Sequence, residues 1–358
     1  MNYETYLCLD QLLAAQKPQS VLHNRPAHDE WLFITVHHAY EIWFKQILIE
    51  IDSTLTKLSR DKVEERDMDV VVARLERVNK IFHVIAGQFD ILETMTPMDF
   101  LEFRDLFSSA SGFQSFQFRL LENKLGLRPD DRLTYREKPY TADLSPAKSH
   151  DVQAAESSVT LFGCLDKWLG RTPFLDVKEF AFWDEYKRAV DLMFKQDESF
   201  VRASATLNDS EKSQLLANIQ TQRQMFSDLF NERAYEEQRA RGAWRLSYRA
   251  IHAAFLIQLY RDQPIFHLPF RLITEVLNID SHLTQWRYRH ALMVKRILGN
   301  RMGSGGSTGE KYLRETTEKH KIFEDFYKLT TFFIPRSRLP QLPEAFARQL
   351  DFAFKSGK

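Results

Sequence analysis

The stretch "HDEWLFITVHHAYEIWFKQILIEIDSTLTKL" (residues 28–58) contains neither glycine nor proline, and an apolar and aromatic stripe runs through it at Phe33, His37, Tyr40, Phe44 and Leu48. Steps of three and four residues return a side chain to the same face of an α-helix. The stretch therefore predicts one long helix, with Asp29 as N-cap. The same period recurs at 69–95, at 111–126 with Gly126 as stop, at 244–262, and at 279–299 with Asp280 or Ser281 as cap and Gly299 as stop. Between the second and third of these, Thr96-Pro97 restarts the chain: Thr96 suits an N-cap, Pro97 the first helical position and Asp99 the first turn. The runs 156–170, 176–200 and 208–240 read as more polar helices, and a last helix begins near Lys311. Only "ETYLCLD" (4–10) has strand character. The expected fold class is all-α, a multi-helix bundle.

Composition narrows the function. The chain has 358 residues, with Lys+Arg and Asp+Glu equal at 49 each, so net charge gives no support to a nucleic-acid or membrane-surface role. The N-terminus lacks the basic and apolar regions of a signal peptide, and no run of about 18 apolar residues could span a membrane. Two cysteines, Cys8 and Cys164, have no metal-ligand spacing and suit a reducing compartment. The expectation is a cytoplasmic protein. Its 28 Phe and 6 Trp against 12 Gly suit a helical core of large flat side chains. Residues 127–153 are polar, contain proline and are weakly periodic. They mark the boundary between a core, 21–126 with 244–340, and a more polar helical insert, 127–243.

Three residues stand out chemically. His290 lies on an apolar helix between Trp286 and Val294. Two readings of it are open: a hydrogen-bonded core histidine, or the single axial ligand of a haem iron, which needs one imidazole and an apolar wall. His37 and His38 are adjacent, so they point about 100° apart on a helix, and the apolar stripe selects His37. It is either a buried histidine beside Phe33 or a lone polar group orienting a ligand in an apolar pocket. Arg104 follows Phe100 by one turn. It could close a helix end, or its guanidinium fork could take a substrate carboxylate bidentately. Ser111-Gly112 would begin the next helix, where free N–H groups favour anions.

"GNRMGSGGSTGEKYLRET" (299–316) interrupts the helical pattern with five glycines. Glycine supplies backbone freedom, and Ser304, Ser307 and Thr308 supply hydroxyls, so the segment reads as a lid over a ligand. It matches neither a Walker A loop nor a dinucleotide-binding turn.

Together, "HDEWLFITVHHAYEIWFKQILIEIDS", "ILETMTPMDFLEFRDLFSSASGFQSFQFRLLENKLG", "WRLSYRAIHAAFLIQLYRDQP" and "DSHLTQWRYRHALMVKRILGNRMGSGGSTGEKYLRET" closely resemble tryptophan 2,3-dioxygenases. The likeness runs in order from about Tyr3 to about Pro340, and the 127–243 insert makes the chain similar to the animal form of the family. The resemblance implies an all-α homotetramer with one haem b per chain. It also implies the reaction: insertion of both atoms of O2 across the indole C2–C3 bond of L-tryptophan, giving N-formyl-L-kynurenine. By position, His290 matches the proximal iron ligand and His37 the distal histidine that contacts the indole N–H. Phe33 matches the aromatic packed on the indole, Phe100 a pocket Phe/Tyr, Arg104 the carboxylate-binding arginine, and Ser111 with Gly112 the segment near the haem edge. Tyr3 and Tyr6, in an N-terminal arm of residues 1–20, match tyrosines that reach a neighbouring subunit's pocket. Trp168, Arg171 and Pro173 match part of a second tryptophan site, although the stretch near Glu64–Arg66 does not align with the rest of it.

Two positions depart from the family: Ser304 stands where most members have Thr, and His38 where many have Gln. A haem monooxygenase or peroxygenase acting on tryptophan or a substituted tryptophan is the alternative within the superfamily. A scaffold that lost its haem is the non-catalytic alternative, against which His290, His37 and Arg104 together argue.

Overall fold

The computed structural model describes residues 1–107, 112–133, 139–142, 144–172, 182–301 and 309–342, and among them there is no strand. The helices are α1 (Tyr3–Leu7), α2 (Leu9–Ala14), α3 (Gln19–Leu22), α4 (His28–Leu58), α5 (Glu65–Leu92), α6 (Pro97–Arg104), α7 (Phe116–Leu125), α8 (Pro146–Glu156), α9 (Leu161–Leu169), α10 (Phe182–Ala203), α11 (Asp209–Leu229), α12 (Glu232–Ala240), α13 (Tyr248–Leu259), α14 (His267–Leu298), α15 (Gly309–Lys319) and α16 (Glu324–Lys328). No described helix is long and apolar enough to cross a membrane. The all-α class is as expected from the periodicity.

Several local expectations hold. Thr96 caps α6 in a reciprocal capping box with Asp99, with Pro97 in the first turn. Gly126 ends α7 at φ 112° and Gly299 follows α14 at φ 55°, both left-handed conformations that glycine adopts without steric cost.

Others are corrected. "ETYLCLD" is helical: Asn2 caps α1 by accepting the Thr5 N–H at 2.8 Å, and Cys8, at φ 52°, separates α1 from α2. Local capping outweighs a weak alternation. The residue before α4 is Ala27, not Asp29, and Ala27 offers no side-chain cap. The helix expected from Asp280 starts instead at His267 and passes straight through it. Asp280 is 1% exposed and spends its carboxylate on the Ile322 N–H, at 3.1 and 3.3 Å. A residue suited to capping its own helix has an equally good use on a neighbouring segment. Likewise α7 begins at Phe116 with Ser115 as N-cap, accepting the Phe118 N–H at 3.3 Å, so Ser111-Gly112 is not its start.

The chain forms two compact units. The first comprises Met1–Gly163 with Glu275–Ile322. In it α4 lies along α5, and Phe44, Ile47, Ile51 and Leu55 of α4 and Val71, Leu75, Val78, Phe82 and Ile85 of α5 are all buried. Buried Glu50 on α4 accepts hydrogen bonds from Arg74 (2.8 Å) and Arg77 (2.9 Å) of α5. Glu122 on α7, 1% exposed, is held by Arg132 (2.7 Å), Arg287 (2.8 Å) and Arg119 (3.0 Å). Burial alone would raise its pKa; the surrounding guanidinium groups prevail and hold the carboxyl well below the ordinary range.

The second unit comprises Cys164–Thr274 with Phe323–Lys358. Asp325 accepts the backbone N–H groups of Arg245 and Leu246, each at 2.7 Å, and the Tyr235 hydroxyl donates to the Leu246 carbonyl at 2.9 Å. Its aromatic core surrounds His252, with Tyr248 at 4.2 Å, Trp183 at 4.8 Å and Phe230 at 5.6 Å between ring centroids. His252 Nδ1 donates to the Tyr248 carbonyl at 2.7 Å, and Nε2 is buried with no partner. Burial pushes its pKa down from 6.5 to about 4.

Between those values the unfolded chain binds the extra proton, so stability rises with pH across the window and is lost as pH falls from 6.5 toward 4. The loss amounts to about 3 kcal/mol. A His252→Leu variant is expected to lose correspondingly less stability over that range in urea titrations. An unchanged pH slope in the variant contradicts the assignment of that loss to His252.

Candidate active site

Phe33, His37 and Phe100 come together on the first unit. α4 presents Phe33 and His37 one turn apart, and α6 presents Phe100 and Arg104 in the same way. The Phe33 ring lies 4.1 Å from the His37 ring, 5.8 Å from Phe100, 5.8 Å from Phe103 and 5.2 Å from Phe107, the last nearly parallel at 25°. Phe33 thus packs on the imidazole and is itself backed by three further phenyl rings. Phe103 and Phe107 were not among the residues expected from sequence, although they continue the three–four spacing that begins at Phe100.

His37 Nδ1 sits 2.7 Å from the Phe33 carbonyl oxygen. A carbonyl can only accept, so Nδ1 carries the proton and the lone pair is at Nε2. Solvent reaches the ring, but it is crowded by protein on most sides. Burial pushes its pKa below the ordinary histidine value, against opposing contributions from the Phe33 carbonyl and Glu41. At neutral pH His37 is an uncharged acceptor. Its helix is held against α7 by Glu41, which accepts from Ser115 Oγ at 2.6 Å and from Gln117 Nε2 at 2.9 Å, while the Glu41 carbonyl takes Gln117 Nε2 at 2.7 Å.

His290 joins the same neighbourhood through aromatic contacts. Tyr40, one turn beyond His37, lies 6.2 Å from it, 5.9 Å from Phe89 and 6.0 Å from Trp286. The His290 ring is 5.4 Å from Trp286 and 6.1 Å from Phe89, stacked on the latter at 27°. Its Nδ1 is buried with no partner, as are Trp286 Nε1 and the Tyr40 hydroxyl. Burial chiefly, with a lesser contribution from the nearby His37, pushes the His290 pKa down to about 4. A neutral ring whose Nδ1 makes no hydrogen bond, set among aromatics, has the chemistry of a single metal-ligating imidazole. No cluster of three or more His, Cys, Asp or Glu suited to a metal occurs among the described residues.

Arg104 is half-buried and ends α6. Gly112 opens a short 3-10 turn, Gly112–Gln114, and a Cβ there would meet nothing within 4 Å. Ser111, Ser304, Ser307, Thr308 and Pro173 lie outside the described residues. Trp168 is half-buried, and Arg171 donates Nε to the Lys167 carbonyl at 3.1 Å. Tyr3 and Tyr6 are 75% and 71% exposed, so they line no pocket of their own chain.

Residues 1–333 match the family model described as tryptophan 2,3-dioxygenase. The chain belongs to the tryptophan 2,3-dioxygenase family. Among curated members it is 51% identical to the tryptophan 2,3-dioxygenase of Bdellovibrio bacteriovorus, over 99% of both chains. It is 44% identical to that of Dictyostelium discoideum, over 98% of this chain and 88% of the relative, and 43% identical to that of Xenopus laevis, over 95% and 84%. The long form with its insert is therefore no mark of an animal sequence, since a bacterial member shares it from end to end.

Proposed function

We propose that this chain is a haem-dependent enzyme that inserts both atoms of O2 across the indole C2–C3 bond of L-tryptophan, yielding N-formyl-L-kynurenine. The observation that carries the reading is the neutral His37, with its Nε2 lone pair beside the Phe33–Phe100–Phe103–Phe107 cluster, in a chain of this family. An indole is a flat apolar ring with one N–H donor, and this arrangement offers aromatic walls and one acceptor. His37 receives the indole N–H and fixes the ring's orientation. Phe33 and Phe100 pack on the ring and exclude water. Arg104 pairs with the substrate carboxylate through its planar fork. The family resemblance assigns Ser304 to the amino-acid end of the substrate and Ser111 with Gly112 to the haem edge.

The residues present fit one haem b per chain. His290 supplies an imidazole kept neutral by burial, with Nδ1 committed to no protein partner, against the flat walls of Phe89 and Trp286. When bound, the haem iron supplies the binding and activation of O2 beside the indole. The test is direct: purified protein with a Soret band, reduced and given L-tryptophan and O2, yields N-formyl-L-kynurenine. Absence of the band from protein made with ample haem, or turnover to a different product, contradicts the reading.

His37→Ala is expected to lower kcat/KM about tenfold or somewhat more, the scale of one neutral hydrogen bond, while haem content stays constant. In the parent enzyme, acid protonates Nε2 and removes the acceptor. Activity therefore falls as pH drops through the depressed His37 pKa, and the His37→Ala profile is flatter on its acid limb. Loss of haem from this variant contradicts an orienting role.

The working form is a cytoplasmic homotetramer in which Tyr3 and Tyr6 reach a neighbour's pocket. Three observations support it. α1 and α2, of 5 and 6 residues, bury no side chain and are too short to persist alone in water. Tyr3, Tyr6 and Leu13 stand exposed on them, at 75%, 71% and 68%. The free thiols Cys8 and Cys164 suit a reducing compartment. Deletion of residues 1–8 is expected to abolish most turnover. A truncated monomer of undiminished activity refutes the shared pocket.

A further inference from the structure

We infer that Arg25, distant from Arg104 in sequence, is a positioning residue for it. The inference rests on the reading of Arg104 as the carboxylate-binding group. Arg25 grips the end of the helix that carries Arg104. Its Nη1 donates to Asp105 Oδ2 at 2.9 Å and its Nη2 to Asp105 Oδ1 at 3.0 Å, a bidentate fork on the residue next to Arg104. Nη2 also donates to the Glu102 carbonyl at 2.8 Å, near the C-terminus of α6. Three hydrogen bonds from one planar group thus bracket Arg104 on both sides. A guanidinium at a helix C-terminus also complements the partial negative charge there.

The base of Arg25 is itself fixed. Its backbone N–H donates to the Ser20 carbonyl at 2.8 Å, and Asn24 before it turns the chain at φ 57°. Ser20 is fully buried, and its hydroxyl accepts the Ala27 N–H at 3.0 Å. Buried Glu30, on the first turn of α4, accepts the N–H groups of Gln19 and Ser20, each at 2.8 Å. The grip on α6 is thereby referred to α4, three residues before Phe33. The wall that packs the ring and the end that takes the carboxylate are held in one frame.

The pair is half-exposed, at 50% for Arg25 and 61% for Asp105, so solvent screening leaves it little weight in global stability. Its effect falls on placement. The three charge-assisted hydrogen bonds set the upper bound on what returning Arg104 to its productive position can cost, on the order of tenfold in binding.

The test uses the full-length holoenzyme. Arg25→Ala is expected to raise the KM for L-tryptophan about tenfold, with kcat changed far less and with haem content and melting temperature unmoved. Arg25→Lys keeps the charge but cannot form the fork, and it is expected to lie between the two. Tryptamine, which lacks the carboxylate, is expected to show no KM change with either variant. In an Arg104→Leu background, Arg25→Ala is expected to add nothing, because the two substitutions remove the same interaction. An unchanged KM for L-tryptophan in both Arg25 variants overturns the inference while leaving Arg104's role intact. So does an equal rise with tryptamine, or full additivity with Arg104→Leu. If Arg104→Leu itself leaves the KM unchanged, the carboxylate reading fails and the inference falls with it.

Discussion

His290→Ala is expected to purify with about a tenth or less of the parent's haem, since even the outer partners of a metal ligand affect retention by one to two orders of magnitude. His290 stands among Phe89 and Trp286 with Nδ1 unpaired and a pKa depressed to about 4, so the apoprotein gains nothing from a polar group there. Alanine removes that unpaired atom, and the apo fold is expected to survive. Haem per chain, read from the Soret band against protein concentration, decides the matter. Full haem with an unaltered spectrum contradicts the assignment of His290 as the iron ligand.

Arg104→Leu is expected to raise the KM for L-tryptophan by about one to two orders of magnitude, the loss of a two-pronged, charge-assisted interaction. Leucine retains much of the apolar stem, so α6, capped at its other end by Thr96 and Asp99, keeps its place. Haem content is expected to match the parent. Comparing L-tryptophan with tryptamine isolates the carboxylate. A variant that loses affinity equally for both has lost pocket shape, not a carboxylate partner.

The fold was legible where period and punctuation agree. The stripe through Tyr40, Phe44 and Leu48 is buried on α4, and the Thr96-Pro97-Asp99 start is where the capping chemistry put it. It was illegible where a residue's local preference met a better tertiary use. Asp280 looked like a cap and is a mid-helix acceptor for Ile322; Asp29 looked like a cap and lies in a first turn preceded by Ala27. The site divides similarly. Phe33 meets both His37 and Phe100, a neighbourhood that the family resemblance implied and helical spacing alone did not, and Phe103 and Phe107 continue the three–four spacing past Phe100. Neither Glu41, which ties α4 to Ser115 and Gln117, nor Arg25, which ties the N-terminal segment to α6, could have been found that way. Their partners lie tens of residues away, and an exposed charge on a helix or in a loop carries no mark in sequence of what it meets in space.

The central claim is that both oxygen atoms of O2 end in one product molecule. The reduced holoenzyme, given L-tryptophan under isotopically labelled O2, tests it in a single mass spectrum taken before the formyl group can exchange with water. The account predicts a product heavier than L-tryptophan by two oxygen atoms, both labelled. A product that gains one labelled oxygen, or whose second oxygen comes from water, contradicts it.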